Sequence, residues 1–315
     1  MAINEKDHSN HRKGIIFVVI GAALWSIGGL GIKSVTAEAL TIAGFRSTFA
    51  FLVLAIALLY RTTREKRSPW PMLTHKYVWF GALAYAFTMM SFVQANKLTT
   101  AANAILLQYT APIFVALLSW SFLREPILRR DWFAIVGCLF GMGCFFFGKL
   151  SPTGMAGNGL AILAGVGFAG LTVFLRADKA AQPNEKNEAG MPLSNLVAIT
   201  LGNALAAVMC LPWMPAAASL PAKSWGILAI LGVFQIGIAY LFFTAGVSRL
   251  SALESTLLAM VEPILNPVWV ALGTRELPTF AALIGGGIII FVLILRGWAA
   301  ARSNANLKPA TEPSA

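Results

Sequence analysis

The chain has 315 residues, 57% of them hydrophobic and only 12% charged, and its 24 Lys and Arg against 13 Asp and Glu leave a net charge of +11. A soluble domain carries about 25% charged residues to keep a water-facing surface, so half of that charge is missing and most of this surface must face lipid. The basic excess does not signal nucleic acid, because the Lys and Arg residues lie between apolar stretches and form no stripe with interleaved aromatics.

The first thirteen residues, MAINEKDHSNHRK, are polar. An apolar run of about twenty residues follows without an A-x-A-type cleavage site, which predicts a cytoplasmic tail leading into a first span rather than a cleaved signal. A membrane helix needs roughly 20 apolar residues and must satisfy its own backbone hydrogen bonds. That window predicts ten spans, at 14–35, 38–60, 77–96, 100–123, 132–148, 158–177, 193–213, 224–247, 252–273 and 279–297. The first division is the weakest, since only TAEAL (36–40) separates its two helices. The expected fold class is an all-α integral membrane protein with both termini on one side.

Lysine and arginine placement chooses that side. With termini inside, eighteen basic residues fall in cytoplasmic segments: Lys6, Arg12 and Lys13; Arg61, Arg64, Lys66, Arg67 and Lys76; Arg124, Arg129 and Arg130; Arg176, Lys179 and Lys186; Arg249; and Arg296, Arg302 and Lys308. Four fall outside, namely Lys97, Lys149, Lys223 and Arg275, while Lys33 and Arg46 lie within spans. The bias predicts cytoplasmic termini. Cys138, Cys144 and Cys210 sit in apolar runs with no CxxC pair and read as packing residues. All three histidines, His8, His11 and His75, lie outside the spans, which argues against a histidine metal or proton site in the membrane. No metal site and no cofactor are expected.

Two segments echo each other at an offset of 151: AANAILLQYTAPIFVALLSWSFLRE (101–125) and ALESTLLAMVEPILNPVWVALGTRE (252–276). The shared mid-helix proline (Pro112, Pro263) and terminal Arg-Glu (124–125, 275–276) are the informative part, because neither is generic in a span. The first copy is helix four, ending inside, and the second is helix nine, ending outside. The expected organisation is a tail (1–13), a first five-helix repeat (14–148), an outer linker (149–157), an inverted second repeat (158–297) and a tail (298–315). Inverted repeats of this kind are common in secondary transporters.

With GAALWSIGGLGIK (21–33), AGFRS (43–47), Pro112 before Arg124-Glu125, and Glu262-Pro263 before Arg275-Glu276, the chain resembles the ten-helix EamA-like branch of the drug/metabolite transporter superfamily over roughly 14–297. The resemblance implies a monomeric or weakly dimeric carrier with a central cavity, alternating access and export of amino acids or related metabolites. It also implies a multi-pass protein of the bacterial cytoplasmic membrane.

Few ionisable residues lie in the spans, and each is costly there, by at least ~2.5 kcal/mol on insertion scales. Arg46 lies about eight residues, ~12 Å, into helix two. It reads as an anchor for a substrate carboxylate or phosphate, or as a structural arginine that snorkels or pairs with Glu38. Glu262 precedes Pro263, where the helix loses a backbone donor. It reads as a partner for a substrate amine or a coupling proton, or as a gating residue tied to the backbone. Lys33 snorkels at the end of helix one. Ser91, Gln94, Asn103, Gln108, Tyr109, Thr110, Gln235, Tyr240 and Asn266 supply polar groups, and Trp25, Met89 and Met90 an apolar wall. The bland account of these polar groups is interhelical hydrogen bonding. The predicted substrate-binding set is Trp25, Arg46, Gln94, Gln108, Tyr109, Gln235, Tyr240 and Glu262, with Pro112, Pro263 and Lys33 in gating or structural roles. No P-loop motif is present, so energy is expected from the solute gradient or from protons. Two other readings are weaker. A membrane-embedded enzyme would need a histidine-based constellation that the spans lack. A scaffold or regulatory protein would need loops longer than the sixteen or so residues found here.

Overall fold

The computed structural model describes residues 2–148, 154–181, 191–265, 269 and 279–306. It is all-helical, with no strand among them. The helices are α1 (Ala2–Trp25), α2 (Gly28–Ser34), α3 (Ala39–Glu65), α4 (Lys76–Leu98), α5 (Ala101–Gln108), α6 (Ala111–Leu118), α7 (Arg129–Phe145), α8 (Met155–Ala181), α9 (Leu193–Met209), α10 (Ala222–Ile230), α11 (Ala239–Val247), α12 (Ala252–Ala259), α13 (261–265) and α14 (Phe280–Asn306). Several are pieces of one rod. π-helical stretches extend α6 through Ser119–Leu123 and join α10 to α11 through Leu231–Ile238.

Seven rods are long and apolar enough to cross a bilayer: Ser9–Ser34, Ala39–Glu65, Lys76–Leu98, Ala101–Leu123, Met155–Ala181, Ala222–Val247 and Phe280–Ala299. They occupy the predicted positions one, two, three, four, six, eight and ten. At positions five and seven stand α7 and α9, each 17 residues, or ~25 Å, just short of a ~30 Å hydrocarbon core. Position nine holds α12 and α13. The remainder of that span, with Asn266 and the Arg275-Glu276 pair, lies outside the described residues, as do 149–153 of the outer linker and residues 182–190 after α8. The weak first division falls at Val35–Glu38, between α2 and α3. α1 extends through the polar amino-terminal residues.

The described parts of the two echoing segments start alike. Thr100 caps α5, its side chain accepting from the Asn103 N–H, and Ser251 caps α12, accepting from the Glu254 N–H. Such caps satisfy an otherwise orphaned first-turn donor. Each helix then runs eight residues and breaks just before its proline, at Tyr109–Thr110 and at Met260. Pro112 sits in the first turn of α6, where a missing N–H costs nothing.

The contacts between rods have the same duality. Rod three packs along rods six and seven, rod one along rod eight, and rod two along rods seven and eight. Rod four packs on rods six and nine, rod one also meets rod nine, and rod five lies against rod ten. Exchanging rods one to five with six to ten maps this set of pairs onto itself. The core is therefore made largely by packing of the helices before residue 149 on those after residue 153, and large apolar side chains such as Ile56, Phe133, Phe140 and Phe291 are left exposed for lipid.

Rods five and ten approach closest at glycine. A Cβ on Gly285 would stand 2.5 Å from the Gly141 carbonyl oxygen, whereas one on Gly287, half a turn away, would meet nothing within 4 Å. Gly285→Val is therefore expected to cost about 1–3 kcal/mol and Gly287→Val no more than about 0.5 kcal/mol, read as thermal midpoints of the detergent-purified protein. Equal losses would contradict the rod five–rod ten contact.

Candidate functional site

The ion pairs among the described residues gather at one end of the bundle. They join His11 to Glu254, Arg61 to Glu65, His75 to Asp178, Arg176 to Glu125, and Arg296 to Asp131 and Glu254. All these residues belong to segments or helix ends read as cytoplasmic. The opposite end has a lysine clasp instead. Lys33 Nζ donates to the Thr99 carbonyl at 3.2 Å, and Lys97 Nζ to the Val35 carbonyl at 2.8 Å.

Between these ends lies a narrow cavity of about 30 Å³. Trp25, Arg46, Gln108, Tyr109, Gln235, Tyr240 and Glu262 line it, together with Met89, Phe92, Phe168 and Ile236. Seven of the eight predicted binding residues thus meet at one place, drawn from rods one, two, four, eight and nine. Gln94 does not line it. Its Nε2 donates to the Met90 carbonyl one turn back at 3.3 Å, the self-contained solution open to any polar residue in a helix. Thr110 likewise bonds its own helix, at the Leu107 carbonyl, and Asn103 bonds Asn158. Pro112 and Pro263 are buried beside the cavity's two helix breaks. Phe92, Phe168 and Ile236 carry no sequence signal, because apolar and aromatic residues are generic in spans.

Arg46 is 2% exposed. It neither snorkels nor pairs with Glu38. Its Nη2 donates to Gln235 Oε1 at 2.6 Å, while Nε and Nη1 are buried without a hydrogen-bond partner among the described residues. Gln235 is oriented by its own Nε2, which donates to the Trp25 carbonyl at 3.3 Å. Two local features allow this. Gln235 lies in the π-helical stretch, whose wider turn shifts side chains off the α register. Gly28 gives the amide room, since a Cβ there would stand 2.6 Å from Gln235 Nε2.

Aromatic rings hold the other wall. Trp25 packs on Tyr240 at 4.9 Å between centroids, on Phe243 at 4.7 Å and on Phe168 at 5.7 Å. Tyr85 meets Tyr240 edge-on at 4.8 Å and donates its hydroxyl to Asn203 Oδ1 at 2.9 Å. The Trp25 indole N–H, also buried, has no partner among the described residues.

Across the cavity, the Tyr109 hydroxyl stands 2.6 Å from Glu262 Oε2 and 2.8 Å from the Ala259 carbonyl. This contact ties the breaks of rods four and nine together. Arg46 and Glu262 line the same cavity, yet no ion pair joins them. The chemistry is thus bipolar: unfilled N–H donors on a cation, a carboxylate and aromatic rings line one cavity. No group of three or more His, Cys, Asp or Glu suited to a metal ion occurs among the described residues.

Comparison with known proteins agrees with this architecture. The chain matches the EamA-like transporter family over residues 12–147 and 155–297. It is 25% identical over 287 residues to the pseudopaline exporter CntI of Pseudomonas aeruginosa, covering 89% of this chain and 94% of that one. It is 25% identical over 256 residues to the uncharacterized transporter YwfM of Bacillus subtilis, covering 79% and 81%. A shorter stretch of 130 residues, 41% of this chain and 34% of the relative, is 25% identical to solute carrier family 35 member G1 of Mus musculus. A solved crystal structure superposes with a TM-score of 0.71 at 20% identity, over 92% of this chain and 98% of its own; at that identity the likeness concerns the fold alone. Matched over both halves, the chain belongs to the EamA-like transporters of the drug/metabolite transporter superfamily and is a membrane transporter rather than an enzyme.

Proposed function

We propose that the protein is a secondary active exporter of amino acids or related zwitterions in the bacterial cytoplasmic membrane, working by alternating access about the Arg46 cavity. The observation that carries this reading is the unpaired Arg46 guanidinium, 2% exposed, on the same cavity as Glu262. A substrate carboxylate fills the Nε and Nη1 donors in the fork geometry that arginine favours. The substrate ammonium lies toward Glu262, and its side chain toward the rings of Trp25 and Tyr240.

Ten spans with cytoplasmic termini, as inverted halves 14–148 and 158–297 joined by 149–157, are part of the proposal. The paired caps at Thr100 and Ser251 support it, as does the exchange symmetry of the rod contacts. A ligand pocket takes about 300–1,000 Å³, and the cavity measures about 30 Å³, so admitting a solute requires the halves to part. The ion pairs Asp131–Arg296 and Glu125–Arg176 each join one half to the other at the cytoplasmic end, and opening there breaks them. Export is supported by the exporter named among the relatives. The carrier is a monomer or weak dimer, driven by the solute gradient or by protons.

Two predictions test the site. In proteoliposomes offered a panel of labelled amino acids, Arg46→Ala is expected to lower transport of any zwitterion that the wild type carries by about a hundredfold; equal transport would assign Arg46 to structure. Gln235→Ala is expected to cost about 1.5–3 kcal/mol, because it removes a hydrogen bond to a buried charge. Gln235→Glu is expected to keep the thermal midpoint by pairing with Arg46 while losing transport as fully as Arg46→Ala. Normal transport by Gln235→Glu would contradict the carboxylate assignment.

A further inference from the structure

The lysine clasp is reciprocal. Lys33, in the last turn of rod one, donates to the carbonyl of Thr99, the residue that caps the carboxyl end of rod three. Lys97, in the last turn of rod three, donates to the carbonyl of Val35, which caps rod one in the same way. The ion-paired end of the bundle holds an equivalent contact. Lys179, in the last turn of rod six, donates to the carbonyl of Ser248, the carboxyl cap of rod eight. Exchanging rods one and three with rods six and eight maps the Lys33 contact onto the Lys179 contact. Donor and acceptor are 66 residues apart in the first and 69 in the second. Residues 182–190, which follow rod six, lie outside the described residues.

A lysine near a helix carboxyl end commonly caps its own last carbonyls, but each of these three reaches a different rod. The rods they join belong to two packed sets around the central cavity. Rod one packs on rods eight and nine, and rods three and four pack on rod six. Trp25, Tyr240 and Glu262 line the cavity from the first set, and Met89, Tyr109 and Phe168 from the second. The Tyr109–Glu262 contact joins the sets beside the cavity, and the lysines join them at the two ends of the bundle. Each clasp connects two rods of the same half, so it restrains a different movement from the ion pairs that join one half to the other.

We infer that these contacts are the two gate latches of the transport cycle, Lys33 with Lys97 closing the cavity toward one end of the bundle and Lys179 closing it toward the other. Both are made around a cavity of about 30 Å³, which is the occluded state of such a cycle. The acceptor in each latch is a neutral carbonyl, so release costs less than parting two buried charges, and at the bundle ends the freed groups meet water. A solute enters or leaves when one latch releases while the other holds. The inference rests on the alternating-access reading, and its test separates the two.

The test is sided labelling of the cavity. A Met89→Cys reporter is placed in the full chain with Cys138, Cys144 and Cys210 replaced by alanine, and a membrane-impermeant methanethiosulfonate is added to right-side-out or inverted vesicles. Adding Lys33→Met with Lys97→Met is expected to raise the labelling rate about tenfold from the Lys33 side and not from the other. Lys179→Met is expected to do the reverse. The corresponding arginine variants keep the donors and are expected to label at the parent rate. Size-exclusion profiles and thermal midpoints check that each variant is folded. Labelling of the parent from both sides, with the methionine variants unchanged or raised on the wrong side, would overturn the latches and leave alternating access standing. A lowered thermal midpoint with unchanged labelling would likewise reduce the lysines to helix caps. Labelling of the parent and every variant from one side only would overturn both readings.

Discussion

A guanidinium held in the middle of a membrane protein without a counter-charge is the constraint around which the rest of this structure is arranged. Each unfilled N–H on such a group costs about 1–3 kcal/mol, and a better-satisfied arginine is easily imagined, because Glu262 lines the same cavity. The fold instead keeps the two apart. Gln235 gives Arg46 one neutral acceptor, the Trp25 carbonyl fixes Gln235, and Tyr109 engages Glu262. Each charge is oriented by a neutral partner and neither is cancelled. A site built in this way spends stability to keep its binding energy for a ligand, a trade-off familiar from functional sites.

The architecture explains how five rods bring Trp25, Arg46, Gln108, Tyr109, Gln235, Tyr240 and Glu262 together there. Rods four and nine each break two to three residues before a proline, and the breaks are joined through Tyr109 and Glu262. Rod eight widens into a π-helical stretch at Gln235, and rod one breaks between Trp25 and Gly28. Irregular backbone at membrane depth is tolerated where it lines a cavity rather than lipid, and four of the five rods that carry the polar and Trp25 lining residues are irregular at the cavity. Rod two is the exception. It is continuous from Ala39 to Glu65 and carries Arg46 on a rigid face.

The sequence made some of this legible because the bilayer is a strict solvent. Span length, the asymmetry of basic residues, and the expense of Arg46 and Glu262 all follow from hydrocarbon thickness and ion solvation. The echo of 101–125 in 252–276, with its shared proline, marks the region of both breaks. What the sequence did not separate is a polar side chain that faces a cavity from one that bonds its own helix. Gln94 and Gln108 are alike in sequence, yet the first satisfies itself on the Met90 carbonyl and the second lines the cavity. That outcome depends on which way each helix is rotated by its neighbours. Phe92, Phe168 and Ile236 were invisible for a related reason: apolar residues in an apolar span carry no contrast.

The central claim is that Arg46 remains unpaired in order to take a carboxylate. Its most direct test is counterflow in proteoliposomes with an amino acid that the wild-type protein carries, compared with the same molecule's carboxamide. The carboxamide keeps the size, the side chain and the ammonium, and loses only the anion. The account predicts that the amino acid exchanges and that the carboxamide does so about a hundredfold less well. Equal exchange of the two would contradict it.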